Sequence, residues 1–224
     1  IDRTGKIVIK PQFEGADNFS EGLAAASIYN EKKEYKVGFI DKTGKFVIPP
    51  IYDQVQDFSE GLAAVGFGEY GLHNGGKHKT GFIDKTGKLV IEPKFRDANG
   101  FSEGLAVVYD NGKYGYINKT GNLAIPLQFE SAINFSEGLA RIYANGKYGF
   151  IDKAGKIVIE PQFSWAGTFS EGFASVKIGG FTLRPFGTNQ IFEPENATHG
   201  YIDKTGKLVF KFDRFDGTYS FSEG

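Results

Sequence analysis

The sequence between Gly81 and Val108 sets the pattern for the whole chain. It reads Gly81-Phe-Ile-Asp-Lys-Thr-Gly-Lys-Leu-Val-Ile-Glu-Pro-Lys-Phe95, then five residues, then Phe101-Ser-Glu-Gly-Leu-Ala-Val-Val108. The tetrapeptide Phe-Ser-Glu-Gly occurs six times, beginning at Phe19, Phe58, Phe101, Phe135, Phe169 and Phe221. Asp-Lys-Thr-Gly or a close variant precedes each copy, beginning at Asp2, Asp41, Asp84, Asn118, Asp152 and Asp203. Two elements that recur together indicate a tandem array, whose shortest period is 34 residues.

Turn chemistry predicts three antiparallel strands in each repeat. Asn111-Gly112 between apolar runs is a strong hairpin signal, because both residues tolerate a positive φ. Asp-Lys-Thr-Gly is typical of a type I turn that ends in a left-handed glycine, with the aspartate capping the turn's amides. We name the strands c (Leu-Ala-x-Val), a (Gly-Phe/Tyr-Ile) and b (Lys-x-Val-Ile). In the first complete copy, Leu23 to Val37 is predicted to be a c-to-a hairpin with a loop over residues 30–34, and Pro93 is expected to end a strand b.

Both faces of such a meander are apolar, so it requires cover from its neighbours. In strand b, Leu89 and Ile91 point to one face and Val90 to the other. A small sheet of this kind is stable only when neighbouring repeats cover it, as in solenoids and propellers. We expect the seams between repeats to be filled by aromatic side chains that follow strand b, namely Phe13, Tyr52, Phe95, Phe129 and Phe163.

The predicted fold class is all-β, built from tandem repeats of about 34 residues. The 224 residues are interpreted as a single array with repeats at 1–37, 38–80, 81–114, 115–148, 149–199 and 200–224. We favour an open solenoid or superhelical array, and a β-propeller-like ring is the alternative. The chain begins and ends inside a repeat, which favours a part of a longer protein.

Composition narrows the functional classes. Lysine and arginine number 26 against 27 acidic residues, a formal charge of −1, so no basic field favours nucleic acid or anionic lipid. No apolar stretch is long enough for a membrane-spanning helix. Without cysteine there is no disulfide framework, cysteine-based zinc site or thiol nucleophile. The sequence leaves the compartment open, with the bacterial cell envelope or the extracellular space favoured.

Motifs that suggest catalysis lack the context they need. Residues 66–71 match G-x-G-x-x-G, but they lie in a hairpin insertion and not in a βαβ unit. Residues 100–104 match G-x-S-x-G, yet the first glycine is replaced in the other copies. The serine of Phe-Ser-Glu-Gly is instead expected to bond its own turn. Its glutamate recurs in every copy, which a catalytic pair would not require. We therefore predict a non-enzyme without a cofactor or catalytic residues.

Length varies almost only at the c-to-a hairpin, and insertions at one position form one edge of an array. This edge is the predicted binding face, although hairpin lengths in repeat proteins also drift without function. The histidines have no metal-ligand spacing and are expected to be solvent-exposed imidazoles. Trp165, the sole tryptophan, is expected to fill a seam, with stacking on a sugar as the alternative. The candidate binding residues are Tyr70, His73, His78, Trp165, Phe181, Arg184, Phe186 and His199.

The repeat unit, from Gly-Phe/Tyr-Ile-Asp-Lys-Thr-Gly through Phe-Ser-Glu-Gly-Leu-Ala-x-Val, resembles the bacterial WG-repeat family over nearly the whole chain. The tryptophan of the family's Trp-Gly pair is replaced by Val37, Thr80, Tyr114, Tyr148 and His199. The resemblance implies a β-rich array and supplies no catalytic residues. We expect a scaffold that binds a protein or glycan partner. The alternatives are a structural subunit that associates end to end in a filament or surface assembly, and a glycoside hydrolase on a propeller.

Overall fold

The computed structural model describes residues 4–68, 78–179 and 197–212. These residues form twenty β-strands joined by turns, and no helix occurs among them. Within the same ranges there is accordingly no helix that could cross a lipid bilayer. The strands form five antiparallel sheets of four strands each, and none of these sheets closes into a barrel. The predicted all-β class and tandem repeats are confirmed.

The five sheets share one order, in which a short strand that we call s is followed by strands c, a and b. Sheet 1 comprises β1 (Gly15–Ala16), β2 (Ala24–Tyr29), β3 (Tyr35–Ile40) and β4 (Phe46–Tyr52). Sheet 2 comprises β5 (Gln54–Val55), β6 (Leu62–Phe67), β7 (Lys79–Asp84) and β8 (Leu89–Phe95). Sheet 3 comprises β9 (Asp97–Ala98), β10 (Leu105–Asp110), β11 (Lys113–Asn118) and β12 (Leu123–Phe129).

Sheet 4 comprises β13 (Ser131–Ala132), β14 (Ala140–Ala144), β15 (Lys147–Ile151) and β16 (Ile157–Phe163). Sheet 5 comprises β17 (Trp165–Ala166), β18 (Phe173–Ile178), β19 (Thr198–Asp203) and β20 (Leu208–Phe212). The chain divides into two compact units, Ile1–Gly112 with Tyr116–Leu123, and Lys113–Gly115 with Ala124–Gly224. Sheets 1 and 2 lie in the first unit, and sheets 4 and 5 lie in the second. The single array, and the choice between an open array and a ring, stay predictions.

Five complete sets of the predicted strands c, a and b are present, whereas residues 6–9, which match the strand b pattern, form no strand. The two-residue strand s is the addition that the sequence did not reveal. Strand s pairs with the end of strand c, as in Gly15 with Ser27 and Ala16 with Ala26. The c-to-a hairpin of sheet 1 has its loop over residues 30–34, as predicted. In the short hairpin between β10 and β11, Asn111 and Gly112 have φ values of 49° and 78°, which confirms the Asn-Gly turn.

The Asp-Lys-Thr-Gly turn also has the predicted structure. Oδ1 of Asp84 accepts hydrogen bonds from the amide and hydroxyl of Thr86, at 2.9 and 2.6 Å, and from the amide of Lys88 at 3.1 Å. The amide of Gly87 donates to the Asp84 carbonyl oxygen at 2.9 Å, and the φ of Gly87 is 84°. The aspartate therefore satisfies the amides that the turn leaves unpaired.

Proline does not end strand b, contrary to the expectation for Pro93. Strand β8 continues to Phe95, and Pro93 lies inside a bulge. Between the pairs Phe82–Ile91 and Thr80–Phe95, the pairing moves two residues along β7 and four along β8. Gly81 lies opposite this bulge, where a Cβ atom would come within 2.5 Å of the Ile91 carbonyl oxygen. Only glycine fits here, which explains why the glycine of the Trp-Gly pair is retained in every copy.

The core lies in the seams between successive sheets. One cluster joins Phe39, Ile48 and Tyr52 of sheet 1 to two residues of the next repeat. These are Ala63 on β6 and Phe58 in the segment between β5 and β6. The corresponding cluster of the second unit contains Phe150, Ile159, Phe163, Phe169 and Ala174. The linker aromatics therefore fill seams as predicted, and the phenylalanine of Phe-Ser-Glu-Gly joins them. Its ring packs on the strand a phenylalanine, with centroid distances of 4.7 Å for Phe39–Phe58, 5.0 Å for Phe82–Phe101 and 4.9 Å for Phe150–Phe169.

Candidate functional site

The Phe-Ser-Glu-Gly tetrapeptide connects each repeat to the next. Glu21 and Gly22 have φ values of 51° and 93°, and Ser20 and Leu23 exchange backbone hydrogen bonds across them, so the segment is a type I′ turn. We expected the Ser20 hydroxyl to bond its own turn, and this expectation is wrong. It donates to the carbonyl oxygen of Phe58 in the next tetrapeptide at 2.7 Å. Two further contacts repeat this geometry, Ser59 to Phe101 at 2.7 Å and Ser136 to Phe169 at 2.8 Å.

The glutamate of the tetrapeptide makes a second link. The carboxylate of Glu60 accepts from the Gly104 amide at 3.1 Å and pairs with Lys119 at 3.1 Å. Glu21 has the same partners in Gly61 and Lys85, and Glu137 has them in Gly172 and Lys204. Burial raises the pKa of Glu60, but the hydrogen bonds from Lys119 and Gly104 outweigh it and bring the pKa below its ordinary value. The recurring carboxylates thus bind neighbouring repeats.

Variable residues line an open cleft between sheet 1 and strand s of sheet 2. Its volume is about 240 Å³. Its lining combines small and apolar side chains with polar ones. The lining residues are Gly15, Ala16, Asp17, Ala25, Ala26, Ser27, Tyr35, Val37, Asp53, Gln54 and Val55. We call this space cleft 1.

Two contacts hold the Asp53 carboxylate in cleft 1. One carboxylate oxygen pairs with Lys36 at 2.5 Å, and the other accepts from the Gly68 amide at 2.7 Å. Burial raises the pKa of Asp53, and the hydrogen bonds from Lys36 and Gly68 lower it further than burial raises it, so the net pKa lies below the ordinary value. Asp53 is therefore ionised at neutral pH. Through the Gly68 amide, Asp53 also contacts the end of strand c in sheet 2.

The same cleft recurs between sheet 2 and strand s of sheet 3, where it is nearly closed. Its volume is about 10 Å³, and its lining includes Gly66, His78 and Thr80. In the repeat alignment, these three residues of sheet 2 occupy the positions that Ser27, Tyr35 and Val37 have in sheet 1. The His78 ring covers Gly66 so closely that a Cβ there would lie 2.4 Å from its Cε1 atom. Nδ1 of His78 lies 2.9 Å from the Gly68 carbonyl oxygen.

In sheet 4 an arginine occupies the position that Ala25 has in cleft 1. Arg141 lies six residues after the first residue of its Phe-Ser-Glu-Gly segment, as Ala25 does in sheet 1. Its guanidinium lies 5.2 Å from the ring centroid of Tyr148 and donates a short hydrogen bond to the Ala166 carbonyl oxygen. Tyr148 and Ala166 correspond to Val37 and Val55, which line cleft 1. The repeat geometry therefore accommodates a guanidinium at this position.

The structure describes three of the eight predicted binding residues. His78 and His199 are each only 5% exposed, so the expectation of solvent-exposed imidazoles is wrong for both. His78 is buried because the cleft beside Gly66 accepts its ring, and His199 because β19 lies between β18 and β20. The other five, Tyr70, His73, Phe181, Arg184 and Phe186, lie outside the described residues.

Trp165 does not fill a buried seam. It is 37% exposed and lies on β17, a two-residue strand at the edge of its sheet that pairs with β18. The corresponding positions in sheets 1 and 2 are Gly15 and Gln54, both of which line cleft 1.

Among the residues that the structure describes, no group of three or more His, Asp or Glu side chains could hold a metal ion.

Sequence reasoning missed Gly15, Ser27, Tyr35 and Asp53. Two of these residues could have been found, because the equivalents of Ser27 and Tyr35 differ from copy to copy in an otherwise regular framework. Which differences open a cleft depends on the pairing of strand s with strand c, and that strand has no sequence signal of its own.

Two comparisons with known proteins bear on this architecture. The family model described as "WG containing repeat" matches residues 1–32, 38–69, 81–114, 114–148, 148–180 and 200–224. These segments cover most of the chain and follow the order of the repeats. No curated protein matches the sequence.

Proposed function

The chain belongs to the WG-repeat family, and from this premise we propose that it is a non-enzymatic scaffold that binds a protein or glycan partner. The binding face comprises the ends of the c-to-a hairpins and the clefts beside them. The repeats supply a rigid framework, and their variable residues supply recognition.

One observation carries this proposal: framework and variation occupy different places. The residues shared by all copies make contacts between repeats, as Ser59 does with Phe101 and Glu60 with Gly104. Hairpin length and residue type vary at the c-to-a end, beside cleft 1. In sheet 1, Tyr29 and Tyr35 flank this hairpin and are 58% and 49% exposed. Exposed aromatic side chains are common in recognition surfaces.

The non-enzymatic part of the proposal is supported by the use of the recurring carboxylates. Glu21, Glu60 and Glu137 each pair with a lysine and accept a backbone amide of the next repeat. These interactions hold the groups ionised and in place, and they account for the recurrence without a reaction. Glycoside hydrolysis, in contrast, needs one raised and one ordinary carboxyl pKa across a substrate groove.

A shortened hairpin tests the proposal. Residues 180–196 are replaced by Asn-Gly, the turn that sheet 3 already uses. Purified wild-type and variant chains are applied to a printed glycan array and to a random dodecapeptide library displayed on phage. Ala154→Thr is the control, because it changes the opposite turn to the residue of the other copies.

We expect selective hits for the wild type and for the control, and their loss in the shortened variant with unchanged circular dichroism. Retention of every hit in a folded variant would exclude this hairpin from the binding face. Absence of selective hits from both probes for the wild type would contradict the proposed function.

End-to-end association is a second candidate, favoured by one feature of β20. Phe210 is 48% exposed, whereas Ile159, which has the same place in sheet 4, is 3% exposed. An apolar side chain at a position that is buried in another sheet could contact a second copy of the chain. Sedimentation at increasing concentration would show association that Phe210→Glu abolishes, and a wild-type monomer throughout would exclude it.

A further inference from the structure

Cleft 1 is open because four of its side chains are small. Gly15, Ala25, Ser27 and Val37 occupy positions that larger groups take in other sheets. In sheet 2 the His78 ring fills the space, and in sheet 4 the Arg141 side chain enters it from Ala25's position. The volume of about 240 Å³ is below the roughly 300–1,000 Å³ of sites for drug-sized ligands. It therefore suits a single side chain.

The surroundings of Arg141 show which chemistry this position accepts. A guanidinium has planar, forked donors and stacks on aromatic rings. Arg141 uses both properties, since it lies over Tyr148 and donates to the Ala166 carbonyl oxygen. Cleft 1 offers comparable partners. The equivalent of Tyr148 is Val37, so the aromatic ring of cleft 1 comes from Tyr35 at another position, and Val55 stands where Ala166 does, three residues before Phe-Ser-Glu-Gly.

The charge of cleft 1 is also complementary to a cation. Asp17 and Asp53 line it, and only Asp53 has a lysine partner, Lys36. The carboxylate of Asp17 is exposed and accepts no hydrogen bond from the residues that the structure describes. Its field extends to the next repeat, because the pKa of Asp57 is raised first by burial and then by the charge of Asp17. An additional positive charge would relieve this repulsion.

We propose that cleft 1 binds the side chain of an arginine presented by a partner protein. The guanidinium contacts the Tyr35 ring and the Asp17 carboxylate, both of which line the cleft. This inference rests on the proposed scaffold function and narrows its partner to a protein with an exposed arginine.

The test is an NMR titration of the whole 15N-labelled chain with N-acetylarginine amide. N-acetylcitrulline amide is the neutral probe of nearly the same shape. We expect the Gly15, Ser27 and Val55 amides to shift with arginine at a dissociation constant of about 1 mM, and at least fivefold more weakly with citrulline. Glucose and glucosamine are titrated as well, because a sugar is the other small ring that the cleft could admit.

Two variants and their matched controls localise the effect. Gly15→Leu fills cleft 1, since a Cβ there already lies 3.0 Å from the Ser27 hydroxyl oxygen, and should abolish the shifts. Ser131→Leu places leucine at the equivalent position of sheet 4 and should leave them unchanged. Asp17→Asn should weaken binding about threefold to fivefold, whereas Glu92→Gln, also exposed, should not.

Equal binding of arginine and citrulline, binding of glucose with the same shifts, or no shift in cleft 1 would each overturn the inference. The proposed scaffold function is tested by a different result, the hits of the shortened hairpin variant. If the shortened hairpin loses its hits while Gly15→Leu retains them, the binding face stands and cleft 1 is not part of it. If Gly15→Leu misfolds, Asp17→Asn alone decides the outcome, because this exposed substitution removes no contact of the fold.

Discussion

The Ser20 hydroxyl and the Phe58 carbonyl oxygen lie 2.7 Å apart and join two repeats that are 38 residues apart in sequence. The phenylalanine that accepts this bond also packs on Phe39, at a centroid distance of 4.7 Å. Polar and apolar contacts between repeats therefore converge on the same four-residue turn.

Removing one serine hydroxyl should weaken the array measurably. In Ser59→Ala, the carbonyl oxygen of Phe101 loses a donor at 2.7 Å in the seam. We expect the free energy of unfolding to fall by about 1–2 kcal/mol, because a carbonyl left without a partner loses more than the bond itself. Urea denaturation measures the change. Ser131→Ala, on strand s of sheet 4, should change stability by less than about 0.5 kcal/mol, and an equal loss in both variants would contradict the role of the Ser59 hydroxyl.

Two glycine-to-alanine variants should differ strongly. At Gly81 a Cβ would lie 2.5 Å from the Ile91 carbonyl oxygen, so backbone must move. At Gly100 the nearest atom would be 3.7 Å away, which is ordinary contact, and the φ is not positive. We expect Gly81→Ala to cost about 3 kcal/mol or more and Gly100→Ala less than about 1 kcal/mol. Thermal unfolding followed by circular dichroism compares them, and similar midpoints would show that the bulge relaxes easily.

Acid should loosen the links between repeats. The pKa values of Glu21, Glu60 and Glu137 are lowered in the folded chain, so their stabilisation is present above the ordinary value of 4.5 and is lost as the pH falls below it. Asp57 acts in the opposite direction, since its pKa is raised. These carboxylates are partly exposed and solvent screens them, so we expect about 0.5 kcal/mol from each glutamate.

Urea denaturation of wild type and Glu60→Gln between pH 7 and pH 3 measures this dependence. The variant should be less stable at pH 7 and should lose less stability on acidification. Parallel curves would show that Glu60 does not contribute. Added salt should also narrow the difference between the two proteins at pH 7.

Two aromatic residues four positions apart should respond differently to truncation. Phe169 is 1% exposed and packs on Phe150, so Phe169→Ala should cost about 3–5 kcal/mol. Trp165 is 37% exposed on an edge strand, so Trp165→Ala should cost about 1 kcal/mol. Circular dichroism follows unfolding in both variants, since Trp165 is the only tryptophan. A loss of several kcal/mol in Trp165→Ala would restore its predicted seam role.

Much of the fold could be predicted because its signals are local. Asn111-Gly112 and the Asp84 turn determine their own backbone geometry, and repetition fixes the strands between them. The same logic identified the c-to-a hairpin of sheet 1 despite its helix-forming residues. Period and turn chemistry were sufficient for these elements.

The remaining features depend on contacts between repeats, which no local pattern encodes. The Ser20 hydroxyl could bond its own turn or the next one, and only the stacking of sheets decides between them. The burial of His78 likewise depends on Gly66, which lies on the neighbouring strand. Strand s has only two residues, too few for a periodic signal. For this reason the predicted binding residues did not include those that line cleft 1.

His78 has a wider consequence, because it occupies one copy of a space that is open in another. The strand pairing around both copies is the same, and the difference lies in a few side chains, since Gln54, Gly66, His78 and Thr80 stand where the open copy has Gly15, Ser27, Tyr35 and Val37. Independent substitutions in each repeat would let one repeated framework form several binding sites with different specificities.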